Sequence, residues 1–231
     1  MADSLSALAG EVTACVRCPR LVEWRERSAA EPPRRYRGQR YWARPLPGFG
    51  DPRAGIVVVG LAPAAHGGNR TGRIFTGDRS GDWIFAALHR AGLATQEHSV
   101  HAADGQRLVG ARMAAPVRCA PPDNKPLPVE RDTCAPWLHR ELELIRPTLR
   151  VVVALGAFAW SAFWPALQHV YKTKPPVPRP PFGHAARWVG PGGVPALLGC
   201  YHVSQQNTFT GRLTPAMLDD VFARAKDLAG L

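Results

Sequence analysis

The sequence of 231 residues lacks long apolar runs and is poor in acidic residues. No apolar stretch reaches the roughly 18 residues that a membrane-spanning helix needs, so no membrane segment is predicted. Residues 1–10 contain no basic stretch that leads into a long apolar core, and no secretory signal is predicted either. We therefore expect a cytoplasmic protein whose cysteines are reduced thiols or metal ligands instead of disulfides.

The shortage of acidic residues leaves a strongly basic chain. Lys and Arg number 29 against 18 Asp and Glu, which gives a formal net charge of +11. In a small intracellular domain such an excess typically marks contact with a polyanion, because each neutralised phosphate releases condensed counterions. The charge favours a nucleic-acid partner over the alternative, an Arg-rich composition that reflects codon usage alone.

Apolar runs of strand length alternate with helical segments along the chain. The predicted strands are 55–60, 108–117, 149–155 and 196–201. The predicted helices are a short one within 4–22, then 81–91, 130–145, 158–167 and a last one capped by Thr214. The basic segments 31–50 and 172–191 are predicted to be irregular. This alternation predicts one α/β domain with a doubly wound, mainly parallel sheet.

Ligands of such sheets bind outside the carboxyl ends of the strands. Three polar segments follow predicted strands, namely 61–78, 118–126 and 201–212. We therefore expect these segments to meet at one site. The first of them lacks the Gly-x-Gly-x-x-Gly pattern of a dinucleotide loop, so no nucleotide cofactor is predicted.

Four of the five cysteines form two pairs, Cys15 with Cys18 and Cys119 with Cys134. Together they would tie the N-terminal segment 1–50 to the body of the domain. Both a zinc site and a [4Fe–4S] cluster use four thiolates, and the spacing does not separate them. The alternative is a redox Cys-x-x-Cys with two unrelated cysteines. Cys200, inside the last predicted strand, is predicted to be a core residue.

Several side chains in the three segments have both a functional and a structural interpretation. Phe75 offers a flat stacking face or belongs to the core, and Asp78 acts on a ligand or caps the following helix. The amide of Asn124 suits the edge of a pyrimidine, although asparagine is also common in turns. His202 directly follows a buried strand and either acts on a ligand or is structural.

Three runs carry a resemblance that covers essentially the whole chain. They are Gly-Leu-Ala-Pro-Ala-Ala-His-Gly-Gly-Asn-Arg-Thr-Gly-Arg at 60–73, Phe-Thr-Gly-Asp at 75–78 and His-Val-Ser-Gln-Gln-Asn at 202–207. With Pro-Pro-Asp-Asn-Lys-Pro at 121–126 and the four paired cysteines, they resemble the uracil-DNA glycosylase superfamily. The closest resemblance is to its family 5, the type B enzymes of bacteria and archaea.

The resemblance implies a single three-layer α/β/α domain over 1–231 and a [4Fe–4S] cluster on the four cysteines, with no redox step in catalysis. It implies that Phe75 stacks on a flipped base, that Asn124 binds its Watson–Crick edge and that His202 faces its O2. Asp78 is the expected water-orienting carboxylate. Gly60 and Ala62 are the other residues expected at the base, and Arg70, Gln205, Gln206 and Asn207 are expected to contact DNA.

One feature departs from the wider superfamily. Many relatives carry an acidic or amide residue directly after the first strand, where this chain has Leu61 and Ala62. Family 5 shares that lack, which predicts a roomier pocket that accepts hypoxanthine and xanthine as well as uracil. The expected activity is monofunctional base removal from double-stranded DNA by a monomer. The rival hypotheses are a cluster-bearing DNA-binding module without catalysis and a zinc-bearing nucleotide-binding enzyme.

Overall fold

The computed structural model describes residues 3–231, and a six-stranded sheet runs through its centre. The strands are β1 (Phe49–Gly50), β2 (Ile56–Val59), β3 (Ala111–Ala114), β4 (Val151–Leu155), β5 (Arg187–Trp188) and β6 (Ala196–Cys200). Their order is β1-β3-β2-β4-β6-β5. The four central strands are parallel, as the sequence predicts, whereas β1 and β5 pair antiparallel at the two edges and were not predicted.

Helices cover both faces of this mixed sheet. They are α1 (Leu5–Thr13), α2 (Pro19–Ala30), α3 (Gly68–Thr71), α4 (Arg79–Arg90), α5 (Pro128–Ile145), α6 (Ala157–Tyr171), α7 (Gln205–Phe209) and α8 (Pro215–Ala229). Alternate residues of β2 serve the two faces, since successive side chains of a strand point to opposite sides. Ile56 and Val58 pack in one core with α4 and α8, and Val57 and Val59 in another with α5 and α6. The three-layer arrangement is therefore present.

The N-terminal segment differs from its prediction. The sequence predicts a single short helix within 4–22, but α1 ends at Thr13 and α2 begins at Pro19. Cys15 and Cys18 lie in the break between them. The structural reason is Pro19, whose fixed φ and missing N–H favour the first position of a new helix over the interior of an old one.

A buried carboxylate joins β3 to α5. Arg112 is level with Val57 of the neighbouring strand, so its side chain points toward α5, where its Nε donates to Glu141 Oε1 at 2.6 Å. Arg118 donates to the other oxygen of the same carboxylate. Burial opposes ionisation of Glu141, but the two guanidinium groups outweigh it and hold its pKa below the ordinary value. This ion triad explains how a strand accommodates Arg112.

No helix within residues 3–231 combines the length and the apolar character needed to cross a bilayer.

Candidate active site

The loop after β2 places an aromatic ring beside a glycine. Phe75 has a left-handed backbone (φ 53°), and its ring lies so close to Gly60 that a Cβ added to Gly60 would come 2.7 Å from Phe75 Cζ. The ring is only 9% exposed and belongs to the core that contains α4 and α8. A side chain at position 60 would displace the ring, so Gly60 is needed for its placement.

Asp78 caps α4 and also faces an open cleft. Its Oδ1 accepts a hydrogen bond from the backbone N–H of Gly81 at 2.9 Å, which confirms the capping interpretation. Its Oδ2 lies against Gly67, where an added Cβ would come within 1.8 Å of that oxygen. Burial raises the pKa of Asp78, although hydrogen bonds from Gly81 and Ser80 favour the ionised form. The cap holds the carboxylate while leaving it in the cleft wall.

His202 lies two residues beyond β6, next to the ring of Phe75. The two ring centroids are 6.5 Å apart, and no other aromatic ring within residues 3–231 pairs with His202. Burial lowers the pKa of His202 to about 4, so the imidazole is neutral at pH 7. Asn207 Nδ2 donates to the carbonyl oxygen of His202 at 2.8 Å. Asn207 thus stabilises the segment that carries the imidazole.

Asn124 ends a short 3-10 turn that begins at Pro122. Both Asp123 and Asn124 have left-handed backbones, with φ of 52° and 55°. The turn leaves Asn124 exposed on the wall of the cleft that also contains Asp78 and Gln205. The three segments predicted to converge therefore do meet at the carboxyl edge of the sheet.

Other predicted site residues lie at different places around this edge. Ala62 is half-buried and presents no polar side-chain atom, and Gln206 is exposed on α7. Arg70 donates its guanidinium hydrogens to His66, Gln39 and Gly77, all within the protein. The structure thus uses this arginine internally, where the sequence predicts a DNA contact.

Sequence reasoning missed part of the cleft wall, namely Trp24 and His66. Tyr41 is buried, and its hydroxyl lies 3.0 Å from His66 Nδ1. His66 lies inside the longest motif, 60–73, and this position could have indicated that it belongs to the site. Trp24 lies on α2, a helix that was itself not predicted, and no pattern in the sequence marks it.

Four cysteines line one small pocket between the N-terminal helices and α5; they are Cys15, Cys18, Cys119 and Cys134. Cys119 Sγ accepts a hydrogen bond from Arg25 Nη1 at 3.2 Å, and Cys134 Sγ accepts one from the backbone N–H of Arg118 at 3.4 Å. Burial raises the pKa of Cys119 to about 11 and that of Cys134 to about 12. A positively charged partner is therefore needed to hold these sulfurs as thiolates.

The arginines around this pocket have unused donors. The Nε atoms of Arg25 and Arg118 are buried without a hydrogen-bond partner among the described residues. Over the same residues, no group of three or more His, Cys, Asp or Glu side chains is close enough to hold a single metal ion. The pocket therefore brings the four cysteines together beside two buried cationic side chains. Cys200 is fully buried in β6, as predicted.

Comparison with known proteins decides the family. The sequence model of the uracil DNA glycosylase superfamily matches residues 47–226. The chain belongs to this superfamily. A protein of Mycobacterium bovis named type-5 uracil-DNA glycosylase is 54% identical over 230 residues, which cover 100% of this chain and 84% of that protein. One of Thermus thermophilus with the same name is 52% identical over 220 residues, covering 95% and 96% of the two chains.

Similarity to another branch of the superfamily is weaker. A type-4 uracil-DNA glycosylase of Pyrobaculum aerophilum is 29% identical over 124 residues, 53% of this chain. The type-5 relatives match the chain over nearly its full length, so the predicted family 5 membership is confirmed.

Proposed function

We propose that this protein is a monofunctional DNA glycosylase of base excision repair that hydrolyses the N-glycosidic bond of uracil flipped out of double-stranded DNA. The observation that carries the proposal is the cleft at the carboxyl edge of the sheet. Asp78 and Asn124 line this cleft, and His202 lies beside Phe75 at the same edge. A carboxylate, an amide and a neutral imidazole are the groups that removal of a pyrimidine needs.

The chemistry divides between Asp78 and His202. The glycosidic bond breaks through an oxocarbenium-like transition state while negative charge builds on the departing base. His202 is neutral, so one ring nitrogen carries a hydrogen that it donates to uracil O2. Asp78 orients the attacking water and stabilises the cationic sugar. Its hydrogen bond from Gly81 keeps the carboxylate in position during the reaction.

Base recognition and DNA binding fall to the surrounding residues. Phe75 stacks on the flipped base, which offsets part of the few kcal/mol that flipping costs. Asn124 hydrogen-bonds the Watson–Crick edge of the base, while Gln205 and Gln206, at the exposed start of α7, enter the minor groove. The basic segments 34–44 and 172–187 bind the phosphates of the DNA backbone. The protein acts on the duplex as a monomer.

The test of this function is a duplex with one U·G pair and a labelled end, followed by hot alkali. Cleavage at the uracil only after alkali identifies an abasic product and a monofunctional enzyme. Binding without cleavage, on a duplex that a known glycosylase cuts, would favour a non-catalytic DNA-binding module instead.

Position 62 of the pocket is an alanine and carries no polar group, so the pocket should accept bases larger than uracil. We expect release of hypoxanthine and xanthine from duplex DNA as well as of uracil, because no side chain at Leu61 or Ala62 selects a pyrimidine by hydrogen bonding. Chromatography of the released bases measures this. Efficient uracil release with no detectable hypoxanthine would contradict the expectation.

The contact between Gly67 and Asp78 gives a second test. A methyl group at position 67 would collide with Asp78 Oδ2, so Gly67→Ala should slow uracil release about 10- to 100-fold through a misplaced carboxylate. Gly10→Ala is the matched control, since an added Cβ there has no heavy atom within 4 Å. Equal single-turnover rates of the two variants would show that the position of Asp78 is unimportant.

We further propose that Cys15, Cys18, Cys119 and Cys134 hold a [4Fe–4S] cluster. The proposal is supported by their common pocket and by the unused donors of Arg25 and Arg118 around it. When bound, the cluster supplies four sulfur–iron bonds that link the N-terminal helices to the body of the domain. It has no part in bond cleavage.

Cys134→Ser should therefore abolish the brown colour and the broad visible absorption of the purified protein, and lower its thermal stability. Cys200→Ala is the matched control and should keep the colour, since Cys200 lies in β6 and away from the pocket. Iron analysis should give about four atoms per chain for the control. A colourless protein with one zinc ion per chain would reject the cluster.

A further inference from the structure

The loop between β2 and α4 doubles back so that two short stretches lie side by side. We name them the first arm (64–67) and the second arm (75–78), and α3 connects them. The first arm ends at Gly67, which lies against the carboxylate of Asp78 at the end of the second arm. The relative position of the two arms therefore determines where Asp78 lies.

Arg70 bridges the two arms. Its Nε donates to the carbonyl oxygen of His66 in the first arm at 2.8 Å, and its Nη2 donates to that of Gly77 in the second arm, also at 2.8 Å. Gly77 has a left-handed backbone (φ 77°), and a Cβ there would come 2.5 Å from Arg70 Nη2. Glycine at position 77 is what allows the guanidinium to approach so closely.

Further contacts fix the guanidinium itself. Arg70 Nη1 donates to Gln39 Oε1 at 2.9 Å, and the guanidinium carbon lies 4.3 Å from the centroid of the Tyr36 ring. All three nitrogens are thus engaged within the protein. A planar fork that makes several hydrogen bonds at fixed angles is a role that lysine cannot fill, whereas lysine can still bind a DNA phosphate through its positive charge.

We propose that Arg70 is a positioning residue that holds Asp78 in the cleft by joining the two arms, and that it does not bind DNA phosphate. This inference rests on the proposed glycosylase function and names a residue through which its catalytic carboxylate is placed. Burial raises the pKa of Asp78, and the positive charge of Arg70 acts against that rise by favouring the ionised carboxylate.

The experiment compares Arg70→Lys and Arg70→Met with Arg35→Met. Arg35 also stacks on Tyr36, at 4.7 Å, but is exposed on the rim of the cleft and serves as the phosphate-type comparison. Single-turnover uracil release at saturating enzyme gives the rate. Binding to undamaged duplex at several salt concentrations gives Kd and the salt slope, which is the change in the logarithm of the binding constant with the logarithm of the salt concentration. Thermal melting shows whether each variant is folded.

We expect both Arg70 variants to slow uracil release about 10- to 100-fold, with Kd, salt slope and melting temperature close to those of the wild type. Arg35→Met should instead weaken binding and reduce the salt slope by about one. A wild-type rate for Arg70→Lys, together with a reduced slope for Arg70→Met, would identify a phosphate contact and overturn the inference.

One further outcome would reject the positioning role of Arg70, and another would reject the function on which that role rests. Parallel losses of rate, DNA affinity and melting temperature in both Arg70 variants would show a general structural role. An inactive wild-type protein would reject the proposed function itself. This outcome is seen in the assay of the wild type alone, so it cannot be confused with an effect of the Arg70 variants.

Discussion

Replacing His202 with alanine should slow uracil release about 10²- to 10³-fold at saturating enzyme, the usual cost of one lost hydrogen-bond donor to a developing anion. The barrier rises by roughly 3 to 4 kcal/mol because charge on uracil O2 is left without a partner. Affinity for a U·G duplex should change little, since that charge develops only in the transition state. Single-turnover kinetics and a binding assay on the same preparation separate the two effects.

His89→Ala is the control for this variant, because His89 is exposed in the last turn of α4. It should keep the wild-type rate. A His202→Ala protein that releases uracil as fast as His89→Ala would remove His202 from the reaction and would favour Asn124 as the group that stabilises the departing base.

The acid limb of the pH profile provides a second check on His202. Its pKa is about 4, well below that of an ordinary histidine, because burial disfavours the charged ring. The imidazole therefore stays neutral from pH 8 down to about pH 5, and its titration should not lower the rate in that range. A rate that falls on acidification with a midpoint near pH 6.5, and only in a protein that contains His202, would show that the ring has the pKa of an ordinary histidine and that burial does not depress it.

The sequence predicted the sheet and the location of the site because those features depend on apolar patterns and on motif order. Val57 and Val59 alternate with Ile56 and Val58 in a run that is typical of a strand covered on both faces. Parallel strands end at one edge, so the segments that carry Asp78, Asn124 and His202 were expected to meet. The motifs then indicated the family.

Long-range polar partners were beyond prediction. Arg70 appears in the sequence as one more basic residue near a DNA-binding motif, and its bonds to His66 and Gly77 exist only once the loop has folded. The helix α2 was not predicted, because Cys18 supplies no side-chain cap and the local signal for its start is Pro19 alone. Two-residue edge strands such as β1 are set by pairing with a neighbour, which leaves almost no local signal.

Glu141 is another residue whose importance only the structure reveals, and its loss should strongly destabilise the fold. Glu141→Gln keeps the volume of the side chain but leaves Arg112 and Arg118 buried without their negative partner. Removing one member of a buried ion pair costs about 3 to 5 kcal/mol. We expect the free energy of unfolding to fall by that amount in denaturant titrations, whereas Glu143→Gln, exposed on the same helix, should stay within about 0.5 kcal/mol of the wild type.

The same triad makes the free energy of unfolding of the wild type depend on pH in the acid range. The two arginines depress the pKa of Glu141 in the folded state, so its stabilising contribution is complete above the ordinary value of about 4.3 and is lost as the pH falls below it. The difference in unfolding free energy between wild type and Glu141→Gln should therefore be largest near pH 7 and shrink under acid. A difference below about 1 kcal/mol at pH 7 would mean that water reaches the triad and screens the arginines, and that β3 and α5 are held together by their apolar contacts alone.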